Sequence, residues 1–92
     1  MCPESLEFRR KRTRFRAWHR GMRESDLLLG SFADVYADTF SAEQLGRFET
    51  LLEVADADIY NWYAKREPVP TEYDHDVMAL LMAFRVPNTS LN

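Results

Sequence analysis

Two histidines, one cysteine and a run of arginines give this 92-residue chain its widest chemical range. His19 and His75 are far apart, and neither has a second histidine three or four positions away, so the spacing of a helical zinc motif is missing. Asp74–His75–Asp76 groups ligand-type side chains, but acids in the first turn of a helix also match its dipole, and that structural reading is the one adopted. Cys2 is the lone thiol. It allows neither an internal disulfide nor a cysteine-built metal site, and at an end expected to fray it would lack the fixed setting a nucleophile needs. No GxGxxG or P-loop is present. Carboxylates are plentiful, yet no pattern places one in an apolar pocket. The residues argue against an enzyme and for a protein that works by binding.

The basic run RRKRTRFR, Arg9 to Arg16, is a candidate nucleic-acid patch. About six phosphate contacts would make such binding steeply salt-dependent. The competing readings are a solvated helix face, or a face that meets an acidic protein. Residues 1–23 carry eight Lys or Arg against Glu4 and Glu7, a balance of +6, while residues 24–92 carry four against thirteen acids, a balance of −9. The net charge of −3 therefore hides a polarised surface. The acidic remainder weighs against nucleic acid. Trp18 and Trp62 could stack on bases, but their helical spacing assigns them to the core.

The elements that must position these residues are helical. The first spans about Leu6 to His19, with Phe8, Phe15 and Trp18 as a weak apolar stripe. The second spans about Arg23 to Asp38, with Leu28, Leu29, Phe32, Val35 and Tyr36 facing inward. Gly30 inside it lowers helix propensity by roughly 1 kcal/mol relative to Ala and signals close packing or a bend. The third has a capping box, Ser41 with Gln44, and a staple of Phe40 with Leu45; Leu45, Phe48, Leu51 and Leu52 point inward. The fourth, about Ala57 to Lys65, takes Asp56 as its cap, has Asp58 in its first turn, and buries Ile59, Trp62 and Tyr63. Pro68 and Pro70 make a rigid connector to a fifth helix, about Thr71 to Arg85, whose stripe is Tyr73, Val77, Leu80, Leu81 and Phe84.

The expected fold is all-α, a compact five-helix bundle in one small domain over 1–92, with a core at about 6–85 and a frayed tail at 86–92. A chain this short buries only about 60–65% of the surface its unfolded form exposes, so modest stability is expected. Hydrophobic residues at 46% and charged residues at 29% fit a folded domain rather than disorder. With 3 Gly and 4 Pro, a turn-rich β protein is disfavoured. No apolar run reaches the roughly 20 residues that span a bilayer. The start lacks the apolar stretch of a secretory signal, and Glu4 and Glu7 oppose a mitochondrial presequence. The single cysteine fits a reducing compartment, expected to be the bacterial cytoplasm.

One break stands out. In RGMRE, Gly21 separates the first two helices, with Arg20 at the negative end of one and Glu24 at the positive start of the next. The simpler reading is capping, with Gly21 as a left-handed C′ residue and Arg20 pairing with Glu24. The functional reading is docking: a bare backbone at Gly21, flanked by opposite charges, that a partner can approach closely.

This chain resembles the succinate dehydrogenase assembly factor 2 family, also called the SdhE or flavinator family. RGMRE matches its signature R-G-x-x-E at Arg20, Gly21 and Glu24. LLEVADADIYNW, Leu51 to Trp62, is similar to its second block, followed in order by the proline connector and a last amphipathic helix. The match covers about residues 6–85. The resemblance implies a five-helix protein, not an enzyme, that binds the flavoprotein subunit of succinate dehydrogenase transiently and promotes its covalent flavinylation. Fumarate reductase is a second target in some members. It implies no cofactor of the protein's own, because the FAD becomes attached to a histidine of the partner. It places Arg20, Gly21 and Glu24 at the interface, with Met22 and Arg23 at the variable positions and Asp58 as a further surface residue. A monomer when free and no membrane contact are also expected. A small nucleic-acid-binding protein and an antitoxin-type protein partner are the alternatives. The basic run is heavier than the family pattern.

Overall fold

Side chains that accept a backbone N–H mark where three helices begin. Ser5 Oγ accepts from Phe8 at 3.1 Å, Ser41 Oγ from Gln44 at 3.2 Å, and His75 Nδ1 from Met78 at 3.1 Å. The computed structural model describes residues 5–86. It orders them as α1 (Leu6–Trp18), α2 (Arg23–Tyr36), α3 (Ala42–Leu51), α4 (Asp56–Tyr63), a 3-10 turn (Thr71–Tyr73) and α5 (Asp76–Ala83). No strand occurs among the described residues, and the expected single all-α domain of five helices is observed. The tail expected to fray lies outside the described residues beyond Val86, as does Cys2.

The core is aromatic at its centre. Phe32 of α2 is fully buried and meets the rings of Phe40, Phe48, Tyr36 and Phe84 at centroid distances of 4.9–6.0 Å, tilted or edge-on. Leu45, Phe48, Leu51 and Leu52 are buried as their spacing predicts, and the Ser41–Gln44 capping box is complete. Ile59, Trp62, Val77 and Leu81 close the other side. Leu80, Tyr73 and Phe84 pack against this core only in part.

The apolar face expected for α1 is not the buried one. Phe8 and Phe15 are 53% and 64% exposed, whereas Thr13 and Ala17 lie inside. The reason is the row of arginines. Arg10 donates to the carbonyls of Ala37 (2.9 Å) and Phe40 (2.8 Å) just past the end of α2, where unpaired C=O groups favour a cation. Arg9 and Arg12 both reach Glu49 of α3, at 2.9 and 3.6 Å, and Arg16 reaches Glu53 at 2.9 Å. Arg14 pairs with Asp38 at 2.6 Å. Turning α1 to satisfy these groups rotates the two phenylalanines outward. Val35 of α2, expected inside, is likewise half exposed.

Glu49 is central to this zipper. Burial works to raise its carboxyl, but the hydrogen bond and charge of Arg9, with the charge of Arg12, outweigh it and hold the group below its ordinary value of 4.5. A depressed carboxyl contributes stability that is fully present above pH 4.5 and is lost as the pH falls through the lower folded value. Urea midpoints measured from pH 3 to 7 are expected to show wild type above Glu49→Gln near neutrality, by roughly 0.5–1 kcal/mol for so partly exposed a group. The two curves should converge in acid. Parallel curves would mean Glu49 is not linked to folding.

Three boundaries differ from expectation. α2 stops at Tyr36, where Thr39 Oγ1 donates back to the Tyr36 carbonyl at 2.8 Å. α4 starts at Asp56 itself, with Ala55 as an N-cap that has no side-chain bond, so Asp56 is not the cap; its carboxylate is engaged elsewhere. The expected fifth helix from Thr71 to Arg85 is broken into the 3-10 turn and a shorter α5, because His75 adopts an extended backbone to cap Met78. α4 ends in a Schellman motif, with Arg66 N–H bonded to Asn61 O (2.8 Å) and Lys65 N–H to Trp62 O (3.0 Å). Lys65 supplies the left-handed residue, at φ 63°, where glycine is usual. Lys65→Gly is therefore expected to raise stability by about 0.5–1 kcal/mol, relief of strain exceeding glycine's extra unfolded freedom. Thermal melting should rise by a few degrees; a lower melting temperature would show that the position is unstrained.

Candidate functional site

The site grows from the corner between α1 and α2. α1 ends at Trp18 with His19 as C-cap, so Gly21 is not the C′ residue expected of it but lies further into the turn. Its φ of +106° is positive, as a left-handed turn residue requires, and a Cβ built on it would meet nothing within 4 Å. Met22 is the N-cap of α2, extended and half exposed. Arg23 and Glu24 follow in the first turn, both exposed. Glu24 and Asp26 place carboxylates at the positive end of α2.

Arg20 does not offer its charge to solvent and does not pair with Glu24. Its side chain is 11% exposed. Its Nε is ion-paired with Asp56, Nη1 donates to the Leu52 carbonyl at 2.6 Å, and Nη2 to the Val54 carbonyl at 2.5 Å. Its backbone N–H donates to Asp26 Oδ1 at 2.7 Å. The opposite charges expected beside Gly21 therefore reduce to those of Arg23 and Glu24.

A groove of about 320 Å³ opens beside the corner, between the start of α2 and α4. Met22, Glu24 and Ser25 line one wall; Asp56, Ala57, Tyr60 and Asn61 line the other, with Arg66 at the end. A second hollow of about 200 Å³ continues past Glu24 and Tyr60 toward Leu27, Tyr63 and Val86. The Arg66 guanidinium lies 6.0 Å from the Tyr60 ring and that of Arg85 6.0 Å from the Tyr63 ring, giving the face an alternation of aromatic and cationic groups. Of the six residues proposed from sequence, Met22 and Glu24 line the groove, Gly21 and Arg23 flank it, and Arg20 lies beneath. Asp58 is exposed on α4 but lies outside the groove lining. Tyr60 and Arg66 are absent from the sequence reading, and Asn61 enters it only as part of the block that resembles the family, with no role at a surface. The spacing 56, 57, 60, 61 marks one helical face, yet nothing in the chain says that α2 begins opposite it.

Other chemistry finds structural partners. His75 caps α5. Asp76 accepts from Gln44 (3.1 Å), from its neighbour Val77 (2.8 Å) and from Arg47 (3.0 Å); the Gln44 bond leads in holding its carboxyl below the ordinary value. No group of three His, Cys, Asp or Glu that could hold a metal occurs among the described residues. No helix among them is long and apolar enough to cross a membrane. Trp62 is core as expected, while Trp18 is only partly buried, its Nε1 donating to Asp34 at 3.2 Å. The arginines of the basic run reach into the body of the domain, so neither the nucleic-acid nor the antitoxin reading gains support.

Comparison with known proteins converges on one family. The family model described as flavinator of succinate dehydrogenase matches residues 11–85. The chain is 42% identical over 80 residues to succinate dehydrogenase assembly factor 2-B, mitochondrial, of Drosophila ananassae, covering 85% of this chain and 49% of that protein. It is 44% identical over 72 residues to the FAD assembly factor SdhE of Acetobacter pasteurianus, covering 78% of this chain and 66% of that protein. The chain thus spans about half the length of the Drosophila relative and about two thirds of the bacterial one.

Proposed function

The chain belongs to the flavinator of succinate dehydrogenase family, and from that membership we propose that it is an FAD assembly factor. It docks on the flavoprotein subunit of succinate dehydrogenase, with fumarate reductase as a second target, and promotes covalent attachment of FAD to that subunit. It acts without catalytic residues or cofactor of its own, as a monomer, in the bacterial cytoplasm. Similarity to a bacterial FAD assembly factor and to mitochondrial succinate dehydrogenase assembly factors supports this reading.

The observation that carries the docking mode is the Gly21 corner: a positive φ and open space where any side chain would stand. A partner backbone can approach there, with the exposed Met22 and Tyr60 as apolar anchors and Arg23, Glu24 and Arg66 setting orientation. A binding protein shifts its partner's conformational equilibrium only by its differential affinity for the two states. Promotion of flavinylation therefore requires that this surface bind the flavin-attachment-competent form of the subunit more tightly than other forms.

The test is covalent flavin on the flavoprotein subunit, read as in-gel fluorescence after denaturation, in cells with the chain, without it, and with Gly21→Leu. Flavin is expected only with the unaltered chain. Gly21→Leu should keep its helical circular dichroism, with a stability loss of about 1–2 kcal/mol from the strained φ. Flavin unchanged across all three would overturn the assembly role. A Gly21→Leu chain that unfolds would remove the docking argument from the corner.

A further inference from the structure

We infer that Asp56 is a positioning residue of the docking surface, acting through Arg20; the inference rests on the assembly-factor reading above. Arg20 is the first residue of the R-G-x-x-E signature, yet at 11% exposure it presents almost nothing to a partner. Its guanidinium is a planar fork with fixed donor directions, and the structure uses those directions to join separate elements. Nη1 and Nη2 take the carbonyls of Leu52 and Val54, at 2.6 and 2.5 Å, where α3 ends and its C=O groups lack helical partners. Nε takes the carboxylate of Asp56, the first residue of α4. The backbone of the same arginine is held by Asp26 in the first turn of α2.

Asp56 also lines the groove, alongside Tyr60 and Asn61 of the same helix. It is thus the groove residue that bonds to the corner side chain directly. Through this part-buried pair the wall carrying Tyr60 and Asn61 is set against the wall carrying Met22 and Glu24. Replacing the carboxylate by an amide keeps an acceptor of the same shape but turns the ion pair into a bond from the guanidinium to a neutral oxygen, so the cation loses its counter-charge. The two walls then lose their fixed relation while the helices remain.

The experiment titrates the full chain against purified apo flavoprotein subunit of succinate dehydrogenase and scores covalent flavin in parallel. Wild type is compared with Asp56→Asn, Asp56→Glu, Arg20→Lys and the Asp56→Asn/Arg20→Lys double variant, with Glu24→Gln as a direct-contact control. Asp56→Asn is expected to melt cooperatively above the assay temperature, to bind with unchanged stoichiometry, and to weaken Kd about tenfold or more. Asp56→Glu should restore part of the affinity. The double variant should be no weaker than about the worse single one, as for residues acting as one unit. Affinity within twofold of wild type for Asp56→Asn, while Glu24→Gln weakens it, overturns the inference and leaves the assembly reading standing. So does a loss that shows only as a smaller binding-competent fraction at unchanged Kd, or an Asp56→Asn chain without a cooperative melt, since either makes the pair purely structural. A wild-type chain that neither binds the subunit nor raises covalent flavin removes the assembly reading, and this inference with it.

Discussion

Arg20→Ala is expected to destabilise the domain by about 3 kcal/mol, the low end of the range for breaking a buried ion pair on one side, since both partners are part-buried. The alanine leaves the Asp56 carboxylate, 14% exposed, without its cation, and strips donors from the carbonyls of Leu52 and Val54. Small domains hold roughly 0.05–0.15 kcal/mol per residue, so such a loss consumes a large part of the whole. The comparison is Arg14→Ala. Its partner Asp38 is 70% exposed, and an exposed pair contributes about 0.2–1 kcal/mol. Urea denaturation of the two variants should separate by at least about 2 kcal/mol. Equal losses would show that the Arg20 pair is solvated in solution and that its burial has no energetic weight.

Gly30 gives the second large effect, and one of unexpected sign. In an exposed helix, Gly→Ala gains about 1 kcal/mol of propensity. At Gly30 an added Cβ would stand 2.2–2.6 Å from Cδ2, Cε2 and Cε3 of Trp18, far inside van der Waals contact. The indole is also held by its Nε1 bond to Asp34, so α1 and α2 must separate to admit a methyl group. Overpacking of this kind costs about 1–3 kcal/mol, occasionally more, and Gly30→Ala is expected to destabilise by about 2 kcal/mol net. At Gly46 the same added Cβ meets nothing nearer than Arg9 Nη2 at 3.8 Å, and Gly46→Ala should stabilise by about 0.5–1 kcal/mol. Trp18→Leu should rescue Gly30→Ala, because residues in contact are not additive. Two alanine variants that both stabilise would place the Trp18 ring elsewhere.

Much of the architecture is written in local chemistry. Ser41 and Gln44 announce a helix start because both halves of a capping box lie within four residues. Leu45, Phe48, Leu51 and Leu52 fall on one face at helical spacing and are buried as that spacing demands. The R-G-x-x-E corner was visible as a helix break, and its glycine does carry a positive φ. Where the reading failed, the deciding groups were distant in sequence. Phe8 and Phe15 looked like the inner face of α1 until Arg10 met carbonyls 27 and 30 residues away and Arg9 met Glu49 40 residues away. Asp56 reads as an N-cap by the local rule, which holds no information on an arginine 36 residues earlier. His75 reads locally as part of a helical turn, yet its imidazole accepts the Met78 N–H and caps α5.

Composition, helical period and capping residues determined by themselves that this is a small all-α domain, because those signals act within a few residues and need no knowledge of the rest. The family signature, too, is a local string. Only the tertiary structure decided which face of α1 is buried, that Arg20 is an internal fork rather than a surface charge, and that Tyr60, Asn61 and Arg66 stand across a groove from Glu24. Those outcomes depend on where long charged side chains find carboxylates and carbonyls after the helices pack, and pairing at that range has no period to read.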